Sequence, residues 1–255
     1  MSIQMKLKVL TLVAVLTFSI NANAQTDVVF YSSFERLIVL NDTGITWAGE
    51  YPTGNSLICN SLTIKQDCNL GRDATNYDPN DGHAGFSFTK LDANGVPLVD
   101  QSVNYETIPW ACVQDNVTGF VWEVKTDDGG IHDKDNTYRW GGVSAIGLGH
   151  PNAEGTYYND WDELVNDANA GNGLCGFTNW RVPTLGELSS IVNNGVHNPT
   201  IDINYFPNTK SSYYWSASPE SIQSFSAKQI NFIYGSSSVS DRFNYLYIRL
   251  VGVRQ

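Results

Sequence analysis

The residues best equipped for chemistry in this chain are carboxylates, amides and aromatic rings, and they gather in turns. The stretch Thr126-Asp127-Asp128-Gly129-Gly130-Ile131-His132-Asp133-Lys134-Asp135-Asn136 brings four carboxylates and an amide close together in sequence. Calcium takes roughly six to eight oxygen ligands from such groups. Asp127, Asp128, Asp133, Asp135 and Asn136 are therefore the candidate metal set, and Ca2+ is the candidate cofactor. The spacing is not that of an EF-hand, and Lys134 stands in the middle. The competing reading is a solvated turn whose Asp side chains bond to nearby backbone.

Aromatic residues beside Asn- or Ser-rich turns form a second group: Tyr157, Tyr158, Tyr213, Tyr214, Tyr234, Phe243 and Tyr245. Such rings can stack on the apolar faces of sugars or anchor a protein contact while neighbouring amides bond to hydroxyls. Packing within the core or sheet is the alternative for each one.

Signatures of catalysis are absent. The four histidines, His83, His132, His150 and His197, lack metal-ligand spacing, and neither a Gly-x-Ser-x-Gly elbow nor a phosphate loop occurs. These residues point to recognition rather than reaction.

The setting for these groups begins with export. Lys6 and Lys8 precede an apolar run from Val9 to Ile20, followed by Ala22-Asn23-Ala24. That is the layout of a secretory signal over residues 1–24, too short in its apolar part for a membrane span of about 20 residues. The expected mature chain is secreted, periplasmic or held at the cell surface. The leader contains two lysines and no acid, so 15 cations against 26 acids become 13 against 26, a formal net charge of about −13. A field of that sign repels nucleic acid and anionic polysaccharide.

Cys59, Cys68, Cys112 and Cys175 are an even set in an exported chain without zinc-knuckle spacing, which favours disulfides. Three connectivities are open. The preferred one joins Cys59 to Cys68 within one segment and Cys112 to Cys175 around another; free reactive thiols are the alternative.

Periodicity supplies the elements. Residues 25–105 read as a loop-rich β extension packed on the main domain, with strand candidates at Arg36–Leu40 and Ala84–Leu91 and a hairpin turn at Asp92-Ala93-Asn94-Gly95. Residues 106–255 form the main domain, with a strand at Phe120–Val124. Trp161, Leu164, Val165 and Ala168 fall on one helical face, with Asp160 as the expected cap. Thr184 and Glu187 have capping-box spacing at the start of a second helix, expected to end at Gly195. Strands follow at Tyr213–Ala217, Lys228–Tyr234 and Tyr245–Val251. The last alternates in the manner of a half-buried strand, with Tyr245, Tyr247 and Arg249 on one face.

Five segments in this order resemble the Lcl C-terminal domain family: Asp115–Glu123, Gly173–Gly176, Trp180–Leu188, Tyr213–Ser216 and Tyr247–Val251. The resemblance covers about residues 110–253, with Val182 where leucine is usual. Gly71–Asp73 through Ala84–Phe88 resembles an extension found in some members. The family is similar in turn to C-type-lectin-like and formylglycine-generating proteins. The implied fold is α+β, a C-type-lectin-like domain with two helices packed on twisted antiparallel strands. Trp180, Arg181, Thr184 and Glu187 are then architectural, with Arg181 paired to a carboxylate such as Glu187.

The resemblance implies an exported, non-enzymatic recognition or adhesion module whose partner is a glycan or a surface protein. The family's collagen-like adhesin is associated with sulfated glycosaminoglycans, but this chain has no Gly-X-Y stalk and the wrong charge for them. A structural surface or matrix protein that self-associates is the alternative, and a formylglycine-generating-type enzyme the second alternative.

Overall fold

The computed structural model describes residues 41–50, 52, 54–57, 59, 66–75, 78, 80–142, 158–223 and 225–254. The segment expected as an export signal, the strand expected at Arg36–Leu40 and Tyr157 lie outside them. The architecture is mixed α+β with antiparallel sheets. No helix among the described residues is long and apolar enough to cross a membrane.

A short hairpin, β1 (Ala48–Glu50) and β2 (Gly54–Leu57), precedes two single-turn helices, α1 (Asp67–Leu70) and α2 (Arg72–Thr75). The central sheet has the order β3 (Phe88–Leu91), β4 (Cys112–Asp115), β5 (Phe120–Glu123) and β9 (Val251–Val253). Between β5 and β9 the chain forms α3 (Asp162–Asn169), α4 (Leu185–Ser189) and a second sheet. That sheet has the order β6 (Tyr213–Pro219), β7 (Ser226–Asn231) and β8 (Ser236–Asp241). The segment 25–105 thus contributes β3 to the sheet of the segment that follows it.

The central sheet is apolar on both faces. Leu91, Cys112 and Val121 join Trp140, Trp161, Leu164, Trp180 and Trp215 on one side. Phe88, Val113, Phe120, Trp122 and Val251 join Leu188, Phe206, Tyr214 and Phe232 on the other. A strand covered on both sides reads as a continuous apolar run rather than an alternating one. Phe120-Val121-Trp122 follows that rule, and it carries Glu123 into the interior at its end.

Two disulfides fasten the layers, Cys59–Cys68 with Cα atoms 5.9 Å apart and Cys112–Cys175 with Cα atoms 6.4 Å apart. The second ties β4 to the turn following α3. Lys90 fixes another long connection: its buried Nζ donates to the carbonyls of Gln101 (2.8 Å) and Val103 (2.7 Å) and lies 4.4 Å from the Trp110 ring centre.

Several elements depart from the pattern in the sequence. Trp161, not Asp160, occupies the position before α3 and makes no side-chain cap, because the Asp160 carboxylate is committed to Arg139. The start of α4 follows the capping box, with Thr184 Oγ1 accepting from Glu187 N at 3.3 Å and Glu187 Oε2 accepting from Thr184 N at 2.8 Å. The helix stops at Ser189 rather than near Gly195. There Ser189 and Ser190 hydroxyls donate back to the Leu185 and Glu187 carbonyls at 2.7 Å, local bonds that compete with helix propagation. Ser236–Asp241, which reads as a turn, is a strand in unbroken register with β7.

The largest departure is Arg249. Alternation places it on the half-exposed face of a strand over Tyr245–Val251, but that segment forms only isolated bridges at Leu246 and Tyr247 before β9, and Arg249 is fully buried. Its guanidinium donates to the Glu123 carbonyl and to Thr209 Oγ1 (2.7 Å), and it stands 5.2 Å from the Phe206 ring centre. Burial lowers its pKa from the ordinary guanidinium value. Removing one member of a buried charged cluster leaves the others uncompensated, at a cost of about 3–5 kcal/mol. Arg249→Ala should lose at least that much in chemical denaturation, whereas Thr184→Ala, which removes one cap, should lose about 1 kcal/mol.

Candidate functional site

Two loop regions with site-like chemistry emerge from this frame. The first is the acidic loop. Asp127, Asp133 and Asp135 offer carboxylate oxygens within 4.8 Å of one another. Asp128 and Asn136 face other work: Asp128 Oδ1 accepts from Thr126 Oγ1 (2.9 Å) and Gly130 N (2.8 Å), and Asn136 Nδ2 donates to the Gly130 carbonyl (2.8 Å).

Asp133 is buried and accepts from the amides of Asp128, Gly129 and Asp135 at 2.7–2.8 Å. Those backbone donors hold its carboxyl below its ordinary pKa. Lys134 Nζ pairs with Asp127 and Asp135, and Lys210 Nζ pairs with Asp135. The Lys134 ammonium thus bridges two of the three carboxylates, and that of Asp133 closes the turn. This donor set fits a self-satisfied loop better than a calcium cage, which needs free oxygens.

The base of the same loop is pinned by His132. Its Nδ1 lies 2.7 Å from Glu123 Oε1 and its Nε2 3.3 Å from Asp167 Oδ2 on α3. Glu123 is fully buried and also accepts from Lys125 Nζ (2.9 Å) and Leu250 N (2.8 Å). Burial alone would raise the Glu123 pKa; Lys125 and His132 outweigh it and hold the carboxyl well below its usual range. For His132, burial pulls downward, and the Glu123 carboxylate prevails to raise the ring's pKa. This is a carboxylate–imidazole–carboxylate string, but the outer end of the imidazole meets Asp167 rather than a nucleophile.

The second region is aromatic. The segment 138–141 runs beside 242–246, with Tyr138 and Leu246 exchanging backbone bonds at 2.8 and 3.0 Å and Trp140 N donating to the Arg242 carbonyl at 2.9 Å. Gly141 lies against Tyr158 at φ +144°, and a Cβ there would stand 2.2 Å from the Tyr158 carbonyl oxygen, so glycine permits the approach.

This arrangement sets the Arg139 guanidinium between two rings, 4.2 Å from the Tyr158 centroid and 5.5 Å from that of Tyr245. Asp160 grips it from the side in a bidentate pair, 2.8 Å on each bond. Such an arginine presents a rigid, polar-edged stack. Tyr245 is 60 % exposed and Phe243 is exposed nearby in sequence.

The other aromatic candidates disperse. Tyr214 is buried at 1 % exposure and stacks in the core with Phe232 and Tyr247, which removes it from the ligand-binding set: its strand position faces the apolar cluster. Tyr213 opens β6 opposite Asn231, and Tyr234 is exposed in the β7–β8 turn. Trp180 is buried, and Arg181 and Glu187 form a bidentate pair at 2.6 and 2.7 Å beside the Thr184 cap. No motif in the sequence gives Arg139, Asp160, Glu123 or His132 a role in a site. The available signal was weak: Arg139 lies in a run of alternating polar and aromatic residues, Tyr138-Arg139-Trp140.

The raised His132 pKa fixes the sign of a pH effect. A group that binds its proton more tightly when folded contributes stability that is fully present below its unfolded pKa, about 6.5. That contribution is lost as pH rises through the higher folded value. Thermal melting should therefore show a loss of stability above neutrality that His132→Gln abolishes. The lysine-filled loop predicts that adding calcium and then chelator leaves the melting temperature unchanged, while Lys134→Ala lowers it.

In comparison with known families, residues 111–252 match the Lcl C-terminal domain. No curated protein and no solved structure matches the chain.

Proposed function

The chain belongs to the Lcl C-terminal domain family, and from that premise we propose that it is an exported, non-catalytic recognition module with a C-type-lectin-like fold. Its contact surface is centred on Arg139, Tyr158 and Tyr245, and its ligand is a neutral glycan or a protein surface. The observation that carries this reading is the guanidinium held between the two rings and locked by Asp160. A side chain held rigid before contact costs little entropy on binding, which is the economy of recognition surfaces rich in Tyr and Arg.

Charge supports the choice of ligand. With 26 acids against 15 cations, polyanions are repelled except where a cation is concentrated, and Arg139 is already neutralised by its carboxylate partner. The pairing of all four cysteines weighs against formylglycine-generating chemistry, which needs reactive thiols. Export is supported by the leader sequence and by those same disulfides. A second reading, a surface or matrix protein that associates with itself, is favoured by the edge of β8, which has no neighbouring strand among the described residues.

Glycan-array and pull-down screens of the mature chain should find a ligand whose affinity falls about tenfold in Tyr245→Ala, the equivalent of losing ~1.4 kcal/mol of stacking. Tyr234→Ala serves as an exposed control and should bind normally. Screens without a ligand, or binding that is indifferent to Tyr245, would refute the assignment.

A further inference from the structure

We propose that β8 is a dimerisation strand: two copies of this chain pair antiparallel through Ser236–Asp241, joining their three-stranded sheets into one of six strands about a twofold axis at Val239. The proposal is independent of the ligand-binding surface at Arg139.

The argument starts from the state of the edge. Strand order β6-β7-β8 leaves the outer side of β8 without a neighbouring strand among the described residues. All six of its residues pair with β7 without a bulge, from Ser236 opposite Asn231 to Asp241 opposite Ser226. A regular edge of this kind presents a row of backbone donors and acceptors to any strand that approaches, and proteins that avoid pairing guard such edges with lysine, proline, bulges or cover. Ser236-Ser237-Ser238-Val239-Ser240-Asp241 contains no lysine or proline. Its first four residues are exposed. Serine side chains are also too small to hold an approaching backbone away.

The occupant follows from charge and self-complementarity. A strand in a protein of formal charge −11 would be expected to carry its share of acids, but here the single ionisable group is Asp241 at one end. Antiparallel pairing centred on Val239 sets Ser238 against Ser240 and Ser237 against Asp241 of the second copy. No carboxylate meets another, and Asp241 faces a hydroxyl donor.

Val239, the only apolar residue of the strand and 46 % exposed, meets its own counterpart directly across the axis. Directly opposed β-branched residues on one face are a favourable cross-strand pair. A twofold contact of this type closes on itself and stops at two copies. With only about five residue pairs, the interface is small and its dissociation constant lies in the micromolar range.

Sedimentation of the mature chain from ~1 µM to ~1 mM should show a monomer passing to a dimer across that range. Val239→Lys places two ammonium groups opposite one another and should weaken the dimer at least tenfold, with melting of the monomer unchanged because the residue is exposed. Val239→Cys should form a disulfide-linked dimer under mild oxidation, since opposed Cα atoms lie within bridging distance. Ser237→Cys should not, because its two copies would be ~14 Å apart. A monomer at every concentration would overturn the proposal. So would a dimer that survives Val239→Lys, or one that cross-links through residue 237 in preference to 239.

Discussion

The carboxylate of Glu123 is the fixed point of this structure. It has no contact with solvent, so each lone pair must be answered from within the protein, and the answers come from separate parts of the chain: Lys125 just beyond β5, His132 in the acidic loop and the Leu250 amide ahead of β9. The Glu123 carbonyl takes the guanidinium of Arg249, which reaches on to Thr209. Buried ion pairs add little net stability over apolar packing, because desolvation consumes most of the attraction. Their effect is on which arrangement survives, since a slipped register of β9 would take the Leu250 amide from Glu123 and the Glu123 carbonyl from the buried Arg249.

The acidic loop is tied to this polar centre, whereas the proposed contact surface draws on other partners. The 126–136 loop looks like an ion site in one dimension, but its carboxylates are spent on amides and lysines, and His132 ties the loop to the interior. Arg139 lies a few residues further on and belongs to a different arrangement: its carboxylate partner comes from Asp160 and its rings from Tyr158 and Tyr245. Acidic residues thus hold a loop closed in one place and a cation open to contact in the other. The difference lies in the partners: three backbone amides bond the Asp133 carboxylate, and a guanidinium takes that of Asp160.

How much of this was legible depended on whether the governing interaction was local. The Thr184–Glu187 cap is written within four residues, and the turn at Asp92–Gly95 within as many, with Asn94 N bonded to Asp92 Oδ1 at 2.8 Å. Both can be read without knowing the fold. The burial of Arg249 cannot, because its alternating neighbours describe an exposed face and its partners lie some 40 and 126 residues away. Asp160 was misleading for the same reason: a good cap by position, it is taken by an arginine 21 residues earlier. Strand β8 was missed because serine suits a turn. Its extended form comes from pairing with β7, a tertiary influence that outweighs propensity. The Arg139 site was half visible, as two tyrosines without the cation between them.

The position of the last strand bears on how the molecule is made. Val251–Val253 pairs with Phe120–Trp122, so the central sheet gains its fourth strand only about 130 positions after its partner strand has been made. A nascent chain emerging from the ribosome therefore carries β5 with one side unfilled and Glu123 without its Leu250 donor while the intervening residues are made. Long-range pairing of this kind folds slowly, and the open strand invites wrong partners in the meantime. Delay has a use if the polypeptide must be threaded through a translocation channel, because a domain that cannot close early remains extended enough to pass.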